Sequence, residues 1–209
     1  MISNDSPATP PYIPKDKLIG LANNFLNKHN PKGTIPVLIE EIVELSLGIK
    51  VVPVPNLKRG FPFDSFITSD FKHIIIDGYT YDNFEDRTRF TYAHELGHFI
   101  LHKDFYESQS FNDVQQYLKY QNDQSDELLK RVESQAYLIA GYLLLPQNEF
   151  RAEVDKLIEE AGGIDKLNPL HVQQIMDVIS EKFFVSQACA QKQFISEYEE
   201  VFEALKKSV

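Results

Sequence analysis

Residues 94–98 read His94-Glu95-Leu96-Gly97-His98. Two imidazoles one helical turn apart, with a carboxylate between them, are the minimal kit for zinc-assisted hydrolysis: two metal ligands and a base. With six histidines in 209 residues, this pattern arises by accident on the order of once in a hundred such chains. Its surroundings make accident a poor account. In RFTYAHELGHFILH, Ala93, Leu96, Gly97, Ile100 and Leu101 fall at i, i+3, i+4, i+7 and i+8 and define the buried stripe of an amphipathic helix. His94 and His98 lie on the flank of that stripe, where a half-buried ligand facing a cleft belongs. Gly97 costs about 1 kcal/mol against alanine inside a helix, which suggests that a neighbouring element comes close there.

A catalytic zinc ion normally takes three protein ligands and a water, so the pentapeptide is one ligand short. His102 continues the i, i+4, i+8 series, but its Cα would stand about 12 Å along the axis from that of His94, too far for both rings to reach one ion. Its expected place is the cleft or a supporting position behind the ligands. Glu133 is the better third ligand. On a helix spanning 125–145, Leu129, Val132, Ala136, Ile139, Ala140 and Leu143 form the apolar stripe, and Glu133 falls on its edge. A carboxylate there needs a partner, because desolvating an unpaired charge costs several kcal/mol. Zinc is one such partner; an arginine such as Arg87 or Arg89 is another, and spacing alone leaves both open.

The elements that must position these residues are legible in outline. Residues 1–14 hold four prolines and no apolar period, the pattern of a flexible leader. Leu18, Ile19, Ala22, Phe25 and Leu26 make a helical stripe, broken by Asn30-Pro31-Lys32-Gly33. A second helix is expected over 36–47, with Pro36 in its first turn and Gly48 after its end. IKVVPV, FPFDSFIT and KHIIID predict a small sheet of three or more strands, with Pro53 and Pro55 placing the first at an edge. The histidine helix follows over 86–102. The connection from 107 to 126 is polar and reads as a long surface segment, able to cover a cleft, with one short helix at 112–120. After the Glu133 helix, stopped by Pro146, three more helices fill the C-terminal third. The fold class is therefore α+β: a small twisted sheet on zincin-like helices (1–14 leader, 15–150 catalytic domain), with a helical subdomain over 151–209.

Composition narrows the function. The chain carries 43% hydrophobic residues, enough for one sizeable core. No stretch approaches the 18 or more uninterrupted apolar residues of a membrane span, and the N-terminus lacks the basic and apolar regions of a secretory signal. The single cysteine, Cys189, excludes an internal disulfide and points to a reducing cytoplasm. A net charge of −10 argues against direct nucleic-acid binding, which needs clustered Lys and Arg, and suits a basic protein partner. His73, at the start of a strand, His29, by a loop, and His171 have no companions at ligand spacing.

The segments RTRFTYAHELGHFILH and ESQAYLIAGYLLLP resemble the two signature segments of the ImmA/IrrE family of metallo-endopeptidases, an AHELGH helix followed by E-x-x-A-x-x-F-A-x-x-L-L-x-P. The N-terminal helices, GIKVV and HIIID fit the family's order, so the resemblance covers about 15–150. It departs at Leu138-Ile139, where the family has Phe-Ala, and in the length of the polar connection. The resemblance implies one zinc ion per chain held by His94, His98 and Glu133, with Glu95 as catalytic base. It also implies limited proteolysis of a helix-turn-helix transcriptional repressor of the xenobiotic-response-element type. The oxyanion donor is left open among Tyr92, Tyr137, Tyr142 and His102. The run ISEKFFVSQACAQKQF is similar to the F-x-V-S-x-x-A segment found after the peptidase core of many relatives, a helix, turn and helix read here as a packing or docking unit. The rival readings are a zinc-stabilised module that sequesters a repressor with little or no proteolytic activity, and a DNA-binding regulator using the C-terminal helices.

Overall fold

The computed structural model describes residues 9–206. Of the leader, residues 1–8 lie outside the described residues; 9–14 form neither helix nor strand, and the Pro10 and Pro11 carbonyls accept hydrogen bonds from Arg131 and Gln135. Helix α1 (Lys15–His29) buries Leu18, Ala22 and Leu26 on the predicted stripe. The next helix differs from expectation: α2 (Ile39–Glu41) starts three residues later than Pro36 and widens at once into a π-helical turn over Ile42–Ser46. Part of the reason is tertiary. The Val37 carbonyl accepts from Ile39 N at 2.8 Å and from the Arg89 guanidinium at 2.8 Å, bonds that compete with a helical one from Glu41 N.

Strand β1 (Lys50–Val54), α3 (Leu57–Gly60), β2 (Ser65–Ile67) and β3 (His73–Asp77) follow. The sheet order is β1-β3-β2, so β1 is an edge strand, as its prolines predict, and β2 is the other edge. β1 runs parallel to β3 in the register Val52↔Ile75, and β2 runs antiparallel to it with Ser65↔Ile76 and Phe66↔Ile75. Alternation then puts Ser65 and Ile67 on one face and Phe66 on the other. Asp77 caps α4 (Gly78–Asn83), accepting from Thr80 N at 3.0 Å and also from Lys58 N at 3.0 Å.

Two long helices make the centre. α5 (Glu85–Leu101) carries the two histidines, and α8 (Asp126–Leu144), capped by Ser125, carries Glu133. They meet at Gly97, where a Cβ atom would stand 2.8 Å from both Cα and O of Ala136. Between them the 107–126 segment carries the short helix expected at 112–120, found at 114–123, but it is packed into the core and not laid over the surface. α6 (Lys103–Glu107) and α7 (Val114–Asp123) flank Phe111, and Phe105, Tyr106, Phe111, Tyr117 and Tyr120 sink into one aromatic cluster. The polar count of this segment concealed a few large apolar groups at spacings that bury them.

The C-terminal part comprises α9 (Gln147–Glu160), α10 (Pro169–Phe183), α11 (Gln187–Glu197) and α12 (Glu199–Lys206), one helix more than expected. It shares the core with the rest: the buried apolar cluster runs unbroken from Leu18 to Phe194. Glu197 ties it down, accepting from the Tyr142 hydroxyl at 2.9 Å and Gln147 Nε2 at 2.7 Å and pairing with Lys15 at 3.1 Å. Burial raises the Glu197 pKa, but hydrogen bonds from Gln147, Lys15 and Tyr142 outweigh it and hold the carboxyl below its ordinary value. A folded pKa below the unfolded one contributes stability above the unfolded pKa that is lost as pH falls through the folded one. Glu197→Ala is thus expected to cost about 1–3 kcal/mol at pH 7 and to flatten the acid limb of a thermal-unfolding series; an unchanged acid limb would refute the anchor. Among the described residues no helix is long and apolar enough to cross a membrane.

Candidate metal centre

One ligand atom each from His94, His98 and Glu133 lies within 4.8 Å of the others. His94 Nε2 stands 3.1 Å from Glu133 Oε2 and 3.2 Å from His98 Nε2, and His98 Nε2 stands 3.7 Å from Glu133 Oε1. A tetrahedral zinc ion with ligand bonds of about 2.0–2.1 Å separates its ligand atoms by about 3.3 Å, and the spacings of 3.1, 3.2 and 3.7 Å here, with one Glu133 oxygen towards each imidazole, are close to that. The arginines that could have paired with Glu133 are committed elsewhere. Arg87 donates to Asp64 at 2.6 Å, and Arg89 forks onto Glu40 at 2.9 and 3.0 Å and reaches the Phe184 carbonyl at 3.1 Å.

Helix geometry explains the arrangement. His94 and His98 are one turn apart on α5, and Glu133 reaches them from α8 because Gly97 lets the two backbones touch. Burial, with the nearby His94 and His102 charges, pushes His98 well below its ordinary pKa, leaving it the neutral imidazole that a metal requires. For His94 burial acts the same way, but the hydrogen bond to Glu133 and the charge of Glu95 outweigh it and raise the pKa.

Glu95 is buried, at 1% exposure. Its Oε1 accepts from the Ser65 hydroxyl at 2.7 Å and the backbone N–H of Ile67 also acts on the carboxyl, whereas Oε2 has no hydrogen-bond partner of its own among the described residues. Desolvation raises its pKa to about 7, the His94 charge and the Ser65 hydrogen bond pulling the other way. A carboxyl poised near neutrality with one free oxygen is suited to taking and returning a proton. Ser65 is a residue that sequence reasoning missed. Its signal was a single polar residue in an apolar strand, but which face it met was not readable thirty positions away.

His94 and Glu133 open on a cleft of about 690 Å³, walled by Phe63, Phe90, Tyr117 and Tyr137 and closed at one side by Ser186, Ala188 and Cys189 at the start of α11. Of the oxyanion candidates only Tyr137 lines it. Tyr142 is engaged with Glu197, and Tyr92 is buried, at 2% exposure. Of the two places expected for His102, it takes the one behind the ligands, its Nδ1 standing 3.2 Å from His98 Nδ1. α5 ends at Leu101, and the non-helical backbone of His102 (φ −123, ψ 15) turns its ring away from the cleft into the interior, where its Nε2 meets Gln135 Oε1 at 2.9 Å. His29 bonds Ser46 and His73 sits on β3, both outside the cluster.

A small mixed sheet beside two helices that bring His94 and Glu133 to the wall of one cleft, with His98 and Glu95 buried behind them, is the architecture of a zincin-like metallopeptidase. The family model described as IrrE N-terminal-like domain, a peptidase family, matches residues 47–162, more than half of the chain, and the chain belongs to that family. Among solved structures it is similar to a Mycobacterium tuberculosis transcriptional regulator, with a TM-score of 0.53 and 17% identity over 88% of this chain, a likeness of fold alone. The chain spans about half the length of that structure, 47%. No curated protein matches it.

Proposed function

We propose that this chain is a zinc-dependent endopeptidase that carries out limited proteolysis of a protein substrate, a helix-turn-helix repressor of the xenobiotic-response-element type, with His94, His98 and Glu133 as the metal ligands and Glu95 as general base. The observation that carries the reading is the pairing of a metal-sized three-atom set with an unpartnered buried oxygen, Glu95 Oε2. A zinc ion bound there would lower the pKa of a water from about 15.7 towards 7 and polarise a peptide carbonyl. Ser65 fixes Glu95 through Oε1, so that Oε2 is the atom left to accept the proton of the attacking water and to return it to the departing amine. Of the four oxyanion candidates Tyr137 is the one in the cleft wall, and its hydroxyl, which accepts from Lys192 Nζ at 2.7 Å, keeps its own proton for the developing oxyanion. The aromatic wall favours a large apolar side chain next to the scissile bond.

The start of α11, the end by which a recognition helix would read bases, is instead turned into the cleft. That supports a role in shaping the substrate site over DNA readout.

Purified zinc-loaded protein incubated with a helix-turn-helix repressor of the xenobiotic-response-element type is expected to cut it at a defined bond, and the Glu95→Gln variant is expected not to. Binding of the repressor without cleavage by wild-type protein would overturn the enzymatic reading in favour of sequestration. Glu133→Ala is expected to weaken zinc binding by at least about a hundredfold, measured by chelator competition, because two imidazoles alone underligate the ion. Wild-type affinity in that variant would remove Glu133 from the ligand set.

A further inference from the structure

Gln135 lies on α8 two residues beyond Glu133, is buried, and stands between two fixed groups. Its Nε2 donates to the Pro11 carbonyl at 2.8 Å, and its Oε1 is 2.9 Å from His102 Nε2. A backbone carbonyl can only accept, so the amide has one orientation that satisfies both ends: nitrogen towards Pro11, oxygen towards His102. Facing an oxygen, His102 Nε2 must carry the ring's proton, and a neutral imidazole then has a bare Nδ1. That bare Nδ1 is 3.2 Å from His98 Nδ1. It is satisfied when His98 holds its own proton on Nδ1, which leaves the His98 lone pair on Nε2, the nitrogen that faces His94 and Glu133.

The Tyr106 hydroxyl, 2.9 Å from the same His98 Nδ1, fits this direction by accepting a share of that N–H. Were Tyr106 to donate there instead, His102 Nδ1 would be a buried acceptor facing another acceptor, and His98 Nε2 would be blocked by a proton.

We propose that the Pro11 carbonyl, Gln135 and His102 form a one-way hydrogen-bond chain that sets the tautomer of His98, so that Gln135 and His102 are positioning residues for the metal site. The inference rests on the reading of His94, His98 and Glu133 as zinc ligands, and it ties that site to the segment at residues 10–11, which Arg131 also holds through the Pro10 carbonyl at 3.3 Å.

The tautomers can be read without metal or activity. In the full-length metal-free protein, imidazole ¹⁵N NMR is expected to show His102 protonated on Nε2 and His98 on Nδ1; the opposite tautomer on either ring overturns the proposal. Zinc affinity by chelator competition gives the second readout. Gln135→Met, similar in volume but without an acceptor, is expected to bind zinc about 10–100-fold more weakly. Gln135→Glu, which keeps an oxygen towards His102 but loses the donor to the Pro11 carbonyl, is expected to weaken zinc binding less than Gln135→Met does, by no more than about fivefold. A residue that only filled space would give the reverse order, tolerating Met and suffering from a buried carboxylate; that order, or equal effects in both, refutes the chain. Wild-type protein without zinc affinity would instead refute the metal reading, and the NMR result on the same sample would still decide the tautomers.

Discussion

Glu95→Gln is expected to bind zinc as wild type does and to cleave its substrate about 10²–10⁴-fold more slowly, the range set by loss of a positioned base. The amide is isosteric with the carboxylate, so its Oε1 still accepts the Ser65 hydrogen bond, and neither imidazole nor Glu133 loses a partner. What disappears is the one oxygen able to take a proton. Single-turnover cleavage beside chelator competition separates the two effects, and full activity in the variant would sink the mechanism.

The same substitution has a signature in stability. With a folded pKa of about 7 against an ordinary value of 4.5, the ionised form of Glu95 is disfavoured by the fold. A raised folded pKa contributes stability that is present below the unfolded value and lost as pH rises through the folded one. Metal-free wild type should therefore lose stability between about pH 4.5 and about 7, and Glu95→Gln should lack that decline. Thermal unfolding of both metal-free proteins across this window gives the comparison, and parallel curves would place the Glu95 carboxyl in a better-solvated setting.

Gly97→Ala is expected to lose about 1–3 kcal/mol of stability by overpacking, even though alanine is favoured over glycine in a helix by about 1 kcal/mol. The added Cβ would meet Ala136 Cα and O at 2.8 Å and Ile139 Cγ2 at 2.9 Å, and the first two are backbone atoms that cannot swing aside. Relief requires α5 and α8 to separate. Ala136 lies three positions beyond Glu133 on α8, so the separation would carry the carboxylate away from His94 and His98, and zinc affinity should fall with stability. Denaturant unfolding and chelator competition on the same variant test the coupling; a variant as stable as wild type would show that the helices have slack there.

How much of this was readable in advance differs from residue to residue. α5 and α8 were legible because each carries the 3.6 period over enough residues to be seen, and the three strands because runs rich in β-branched and aromatic residues stand between turn residues. α6 was not. Lys103–Glu107 is too short to show a period, and its Phe105 and Tyr106 find partners only in α7 and Phe111. The late start of α2 was not readable either, since one of the bonds that compete with it comes from the Arg89 guanidinium, arriving at Val37 from fifty residues away.

By itself, the sequence determined the chemistry on offer: two imidazoles and a base at fixed helical spacing, a carboxylate on the edge of a second apolar stripe, and the glycine that marks a close crossing. Those are properties of single helices, and local periodicity suffices to reveal them. Only the tertiary structure decided which groups meet. It committed Arg87 to Asp64 and Arg89 to Glu40, leaving Glu133 to the histidines. It placed Ser65 on Glu95, and of the two places open to His102 it chose the one behind the ligands, between Gln135 and His98. Hydrogen bonds and ion pairs of this kind act over about 3 Å between residues far apart in the chain, and no pattern along one strand or helix encodes the distance across which they form.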